Sequence, residues 1–111
     1  MVDPEELIRI AEELHEPRGK YLQWRAFCER MERGKHSVFA TIYMETNEGT
    51  VEQRKSQVYA SPQWKSYLGK VRKYEKEKIK WQISYENLKT KFDAIQSALS
   101  YQREHLKRLG G

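Results

Sequence analysis

The second half of the sequence carries one long heptad pattern, and this pattern constrains the fold more than any other feature. Between residues 64 and 109, apolar or aromatic side chains recur at alternating spacings of three and four, and only Lys78 and Gln102 break the series. A repeat of this length is typical of a helix that packs along one continuous seam. The seam positions are Trp64, Tyr67, Val71, Tyr74, Lys78, Trp81, Tyr85, Leu88, Phe92, Ile95, Leu99, Gln102, Leu106 and Leu109.

The boundaries of this helix are marked by local signals. Ser61 precedes Pro62, which is a capping residue followed by a proline at the first helical position. No proline follows, and the pattern continues to the glycine pair Gly110 and Gly111. We therefore predict one helix over residues 62–109, with the glycines as its carboxyl-terminal end.

The amino-terminal half supplies a partner for this seam. Asp3 and Pro4, followed by acidic residues, indicate the start of a helix over residues 4–16, with a break near Pro17 and Gly19. A second apolar series predicts a helix over 20–46, and Thr50 caps a short third helix over 51–60. The second series consists of Tyr21, Trp24, Cys28, Met31, Lys35, Val38 and Ile42, widened by Phe27 and Phe39.

These elements predict an all-α fold. We expect a single helical domain over residues 1–111, an antiparallel, coiled-coil-like hairpin with a short amino-terminal helix and a short corner helix. A hairpin this slender buries little apolar surface per residue, and such folds are commonly stabilised by association. We therefore expect a homodimer that forms a helical bundle. The apolar residues that lie off the intramolecular seam, and that would form its interface, are Leu22, Phe39, Leu68, Ile79, Ile83 and Tyr101.

Positive charge is concentrated at the start of the long helix. The formal net charge is +5, from 21 Lys and Arg against 16 Asp and Glu. Within residues 61–85 the acids are only Glu75 and Glu77. This excess favours phosphate contacts that do not depend on base sequence, although a solvated helix surface would also be rich in lysine. The candidate nucleic-acid-binding residues are Lys65, Lys70, Arg72, Lys73, Lys76, Lys80, Lys89 and Lys91.

The sequence gives no support for catalysis, and we expect a non-enzymatic protein without a cofactor. His15, His36 and His105 have no neighbouring His or Cys at the spacing of a zinc site, and no nucleophilic triad or paired carboxylates can be assigned. Cys28 lies on a seam and is interpreted as a small apolar group. An acidic amino terminus without a signal-peptide core, and no apolar run of membrane-spanning length, predict a cytoplasmic protein with no membrane contact.

The corner segment resembles a family of known proteins. "GTVEQRKSQVYASPQW", followed by the charged helix "YEKEKIKWQISYENLKT", is similar to small uncharacterised phage and prophage helical proteins. The similarity covers residues 20–108, and its most specific parts are Thr50-Val51-x-x-Arg54 and Ala60-Ser61-Pro62. The resemblance implies a bacterial host cell and a place near genes for phage recombination and single-strand annealing. It implies no catalytic residues.

Two functions of different classes follow. One is an accessory protein for phage DNA recombination or replication that binds single-stranded or duplex DNA through the basic residues. The other is an adaptor or inhibitor that docks on a phage or host DNA-processing protein. Phosphate contacts weaken as salt rises and apolar docking does not, so salt dependence distinguishes the two functions.

Overall fold

A computed structural model describes residues 3–110, and over this range the chain is all-α. It is an antiparallel helical hairpin with a short amino-terminal helix and a short corner helix, which confirms the predicted fold class. The elements are α1 (Pro4–Glu13), α2 (His15–Glu45), α3 (Val51–Ala60) and α4 (Pro62–Gly110). Gly111 lies outside the described residues.

The first helix begins as predicted, but the break that follows it lies elsewhere. Asp3 caps α1 by accepting a hydrogen bond from the backbone N–H of Glu5 at 3.0 Å. The interruption falls at Leu14, whereas the sequence predicted it near Pro17 and Gly19. Pro17 lies in the first turn of α2, where backbone N–H groups lack helical partners, so its missing N–H does not interrupt the helix.

The corner is built from the two caps that the sequence predicted. Thr50 and Gln53 form a reciprocal capping box at the start of α3, with N–O distances of 3.2 and 2.9 Å. Ser61 joins α3 to α4, because its hydroxyl donates to the Val58 carbonyl at 2.7 Å and accepts from the Trp64 N–H at 3.2 Å. The side chains of Thr50, Gln53 and Ser61 thus satisfy backbone groups at the start of α3, at its end and at the start of α4.

Glycine is required at position 49, just before this cap. Gly49 has a φ of 104°, which L side chains rarely adopt. A Cβ there would also lie 2.7 Å from Gln53 Oε1, the atom that accepts from the Thr50 N–H in the capping box. The turn from α2 into α3 therefore depends on a residue without a side chain.

The described residues form two compact units, and the prediction of a single domain stays a prediction. One unit, the corner unit, comprises residues 22–78 and includes α3. Its core is Ile42, Val58 and Trp64, which are at most 6% exposed. Val58 of α3 is fully buried, and its packing against Ile42 and Trp64 holds the corner helix in place. Partly buried side chains pack around the cluster, namely Val38, Phe39, Tyr43, Tyr67 and Leu68.

Aromatic contacts continue along the corner unit away from α3. The Tyr74 ring lies 5.5 Å from that of Trp24 and 5.8 Å from that of Phe27, between ring centroids. The Tyr67 hydroxyl donates to the Met31 carbonyl. These contacts join α2 to α4 through the predicted seam positions, which confirms that the α4 aromatics in this unit serve packing.

The second unit, the terminal unit, comprises residues 3–21 and 79–110. Ile10 and Leu99 are buried, and the Tyr21 and Tyr85 rings stack with centroids 6.4 Å apart. Leu106 and Leu109 are 66% and 73% exposed, although the heptad pattern placed them on the seam.

Candidate nucleic-acid interface

Five of the eight predicted basic residues lie on α4 within the corner unit, and all five side chains are exposed. The α4 face that carries the buried Trp64 and the half-buried Tyr67 packs along the seam, and these five residues lie off that face. We call this set the basic face of α4. Its members are Lys65, Lys70, Arg72, Lys73 and Lys76.

Helical spacing makes most of the basic face continuous. Lys70, Lys73 and Lys76 follow one another at intervals of three residues, and Arg72 lies four residues before Lys76. Side chains three or four residues apart are neighbours on a helix surface, so their positive charges reinforce one another. No member forms an ion pair within residues 3–110, although Glu75 lies three residues after Arg72 and Glu77 four residues after Lys73. Two acids against five basic side chains leave this stretch of helix with a net positive charge.

The other three predicted basic residues lie on α4 in the terminal unit and are arranged differently. Lys80, Lys89 and Lys91 are exposed, and the Lys80 ammonium lies 5.1 Å from the centre of the Trp81 ring. Lys89 lies three residues after Glu86 and four before Asp93, which reduces the local positive charge. The predicted basic residues are therefore more densely spaced in the corner unit, where five of them lie within residues 65–76.

The predicted interface residues fall into two groups. Leu22, Ile79, Ile83 and Tyr101 are exposed, at 47%, 50%, 53% and 72% respectively. Phe39 and Leu68 are instead half-buried against the Ile42–Val58–Trp64 cluster. The heptad pattern left Leu68 off the seam, but both side chains pack within the chain, because α3 adds a third helix and widens the buried face of α2 and α4 beyond a two-helix seam. Their place in a dimer interface stays a prediction.

Arg54, from the motif that carries the family resemblance, has a structural role. Its guanidinium donates to Thr46 Oγ1 at 3.0 Å and to the Tyr43 carbonyl at 3.1 Å. The same group lies 4.1 Å from the centre of the Tyr43 ring. Arg54 therefore ties α3 to the end of α2. Thr50 and Ser61, the other motif residues with assigned contacts, act as helix caps.

A groove in the corner unit brings together residues that the sequence analysis did not connect. It has a volume of about 540 Å³ and lies among α2, α3 and α4. No spacing rule could group its residues, because they come from three helices and meet only at the corner. Its lining residues are Lys35, His36, Phe39, Lys55, Tyr59, Trp64 and Leu68.

The described residues contain no cluster of three or more His, Cys, Asp or Glu side chains that could hold a metal ion. Cys28 is half-buried, and burial raises the pKa of its thiol, against the opposing charge of Lys78. A thiol with a raised pKa holds less thiolate at neutral pH and is a poorer nucleophile. The interpretation of Cys28 as a packing residue agrees with this environment.

The chain matches no protein-family model, and neither the curated proteins nor the solved structures yield a match. Within residues 3–110, every helix is too short or too polar to cross a bilayer.

Proposed function

We propose that this protein is a non-enzymatic accessory factor that binds DNA through the basic face of α4. The observation that carries the proposal is the group of five exposed basic side chains in one stretch of helix, with no ion-pair partner among the described residues. Such a surface attracts the phosphate backbone and discriminates little between base sequences. The resemblance to phage proteins near recombination genes supports a setting in phage recombination or replication, in a bacterial cytoplasm.

Replacing Lys70, Lys73 and Lys76 together with glutamine tests this function. Binding of labelled single-stranded and duplex oligonucleotides, followed by fluorescence anisotropy, is expected to weaken by about tenfold or more. The slope of log affinity against log salt should shrink by up to about one unit for each phosphate that a replaced lysine contacts in the parent. Helicity should be unchanged, because glutamine and lysine have similar helix propensity and all three sites are exposed.

A control of equal charge separates position from net charge. Arg103, Lys107 and Arg108 are exposed near the end of α4, and their replacement with glutamine removes the same number of positive charges. This control should bind oligonucleotides nearly as well as the parent. Equal losses of affinity in the two triple variants would mean that only overall charge matters, and a parent that does not bind at low salt would refute the proposal.

A second function, docking on a DNA-processing protein of phage or host, is favoured by the exposed apolar residues of the terminal unit. Ile79 and Ile83 are one helical turn apart on α4, and both are at least half exposed. Two branched apolar side chains at this spacing form a continuous patch, which is typical of a protein contact. If complex formation with such a partner persists at high salt, this function replaces DNA binding.

The same patch predicts self-association. We expect a dimer at micromolar concentration in sedimentation velocity, and we expect Ile79→Glu combined with Ile83→Glu to convert it to a monomer, because buried carboxylates without partners are unfavourable. Leu109→Glu is the control, since Leu109 is exposed but lies outside the predicted interface. A parent that sediments as a monomer at this concentration would contradict the prediction.

A further inference from the structure

The groove of the corner unit combines an accessible aromatic ring with positive charge. Tyr59 is 56% exposed, whereas Trp64 beneath it is 5% exposed. The Tyr59 ring lies 5.4 Å from that of Phe39 and 6.0 Å from that of Trp64, with interplanar angles of 52° and 72°. Tilted and edge-to-face contacts of this kind are favourable between aromatic rings. An aromatic side chain is thus held at the surface by two others.

Three residues that can carry positive charge line the same groove. Lys35 and His36 on α2 are exposed, and Lys55 on α3 has a single ion pair, with Glu52 at 3.8 Å. Both partners of this pair are largely exposed, so its contribution is small and Lys55 can exchange Glu52 for another anion. The groove therefore suits a ligand that has both an aromatic face and a negative charge.

The groove is continuous with the basic face of α4. Leu68, at its edge, lies three residues after Lys65 and four before Arg72, so both cations are its neighbours on the helix surface. A polyanion bound at Lys65 and Arg72 can therefore reach the groove across Leu68. This continuity favours a nucleotide within a longer strand over a small free ligand.

We propose that this groove binds an unpaired base of single-stranded nucleic acid, with the base stacked on Tyr59 and the adjoining phosphates near Lys35 and Lys55. The inference rests on the proposed DNA binding and deepens it by specifying the strand state. In a duplex the base faces are stacked on one another and are not accessible to a side chain. The basic face accepts either form, and the groove selects the single strand.

Tyr59→Leu tests the groove, since it removes the aromatic ring and retains apolar bulk. With a labelled oligothymidine and a duplex of equal length as probes, we expect affinity for the single strand to fall by about ten- to hundredfold. Affinity for the duplex and the salt slope should both stay at the parent values, because the substitution leaves every basic side chain in place. Tyr59→Phe keeps the ring and should bind as the parent does. Met44→Ala, at an exposed apolar residue that does not line the groove, should have no effect.

The failures of the two proposals are distinguishable. If the glutamine variant of the basic face weakens binding but Tyr59→Leu does not, the groove inference is wrong and the proposed function stands. If the parent binds neither probe, both fail. If polyglutamate displaces the oligothymidine as effectively as unlabelled oligothymidine does, the groove recognises acidic polymers in general and the inference is overturned.

A folding control distinguishes loss of binding from loss of structure. The thermal unfolding midpoint of each variant is measured by circular dichroism, and binding is assayed well below it. If Tyr59→Leu unfolds, Lys35→Gln combined with Lys55→Gln takes its place, because both side chains are on the surface of the groove. This pair should lower single-strand affinity more than duplex affinity. Equal reductions for the two probes would overturn the inference.

Discussion

Replacing Trp64 with alanine is expected to lower the free energy of unfolding by about 3–5 kcal/mol. Trp64 is 5% exposed and belongs to the only cluster of mutually packed buried residues described for the corner unit, with Ile42 and Val58. Its ring also contacts those of Phe39 and Tyr67, with both pairs of centroids 5.7 Å apart. Alanine would leave a cavity where three helices meet, and neighbouring helices can close it only in part.

Urea unfolding followed by circular dichroism measures this loss of stability. Trp81→Ala provides the matched control, because Trp81 occupies a seam position in the terminal unit but is only half-buried, with Lys80 over its ring. The loss there should be clearly smaller. Equal losses of stability in the two variants would contradict the inference that Trp64 is the better packed of the two tryptophans.

Replacing Arg54 with methionine is expected to destabilise the chain by about 2–3 kcal/mol. Methionine retains most of the aliphatic length but removes two charge-assisted hydrogen bonds, to Thr46 Oγ1 and the Tyr43 carbonyl, and the contact of the guanidinium with the Tyr43 ring. The Thr46 hydroxyl and the Thr46 backbone N–H still donate to the Tyr43 carbonyl, so that acceptor stays paired. The loss of stability should therefore stay below that expected for Trp64→Ala.

Two measurements check the role of Arg54. Urea unfolding gives the change in stability, and amide hydrogen exchange should quicken in α3 and the last turn of α2 before it does elsewhere. Lys55→Met is the control at the adjacent position, where an exposed ion pair with Glu52 contributes about 0.5 kcal/mol or less. If Arg54→Met instead retains full stability and loses DNA affinity, Arg54 is a binding residue and its structural assignment is wrong.

The sequence determined two kinds of feature: the helix starts, which depend on local capping residues, and the long helix α4, which depends on one sustained heptad pattern. The heptad pattern predicted α4, and the caps Asp3, Thr50 and Ser61 predicted three helix starts, because each cap satisfies backbone groups within a few residues of itself. Burial of Trp64 and Leu99 also followed from the pattern. The members of the basic face are exposed, as their positions outside the seam predicted, since a residue outside an apolar seam is directed to solvent.

The sequence mispredicted the position of the break after α1 and the burial of two leucines near the end of α4. In both cases the meaning of a residue type depends on where in the helix it lies. Pro17 was interpreted as a helix terminator, but a proline is tolerated in the first turn, and only the structure shows that α2 begins at His15. Leu106 and Leu109 continue the heptad pattern but are exposed. Periodicity gives the face of a helix and says nothing of how far its partner extends.

Tertiary structure alone decided the chemistry of the corner. Phe39 and Leu68 pack inward because α3 folds against both arms, and a two-helix pattern cannot anticipate a third surface. Arg54 reaches the end of α2 across the turn at Gly49, so a motif residue that could have met a phosphate is occupied by backbone and hydroxyl oxygens. The groove beside Tyr59 exists only where three helices converge, because contacts between residues distant in sequence are set by packing and leave no periodic signal.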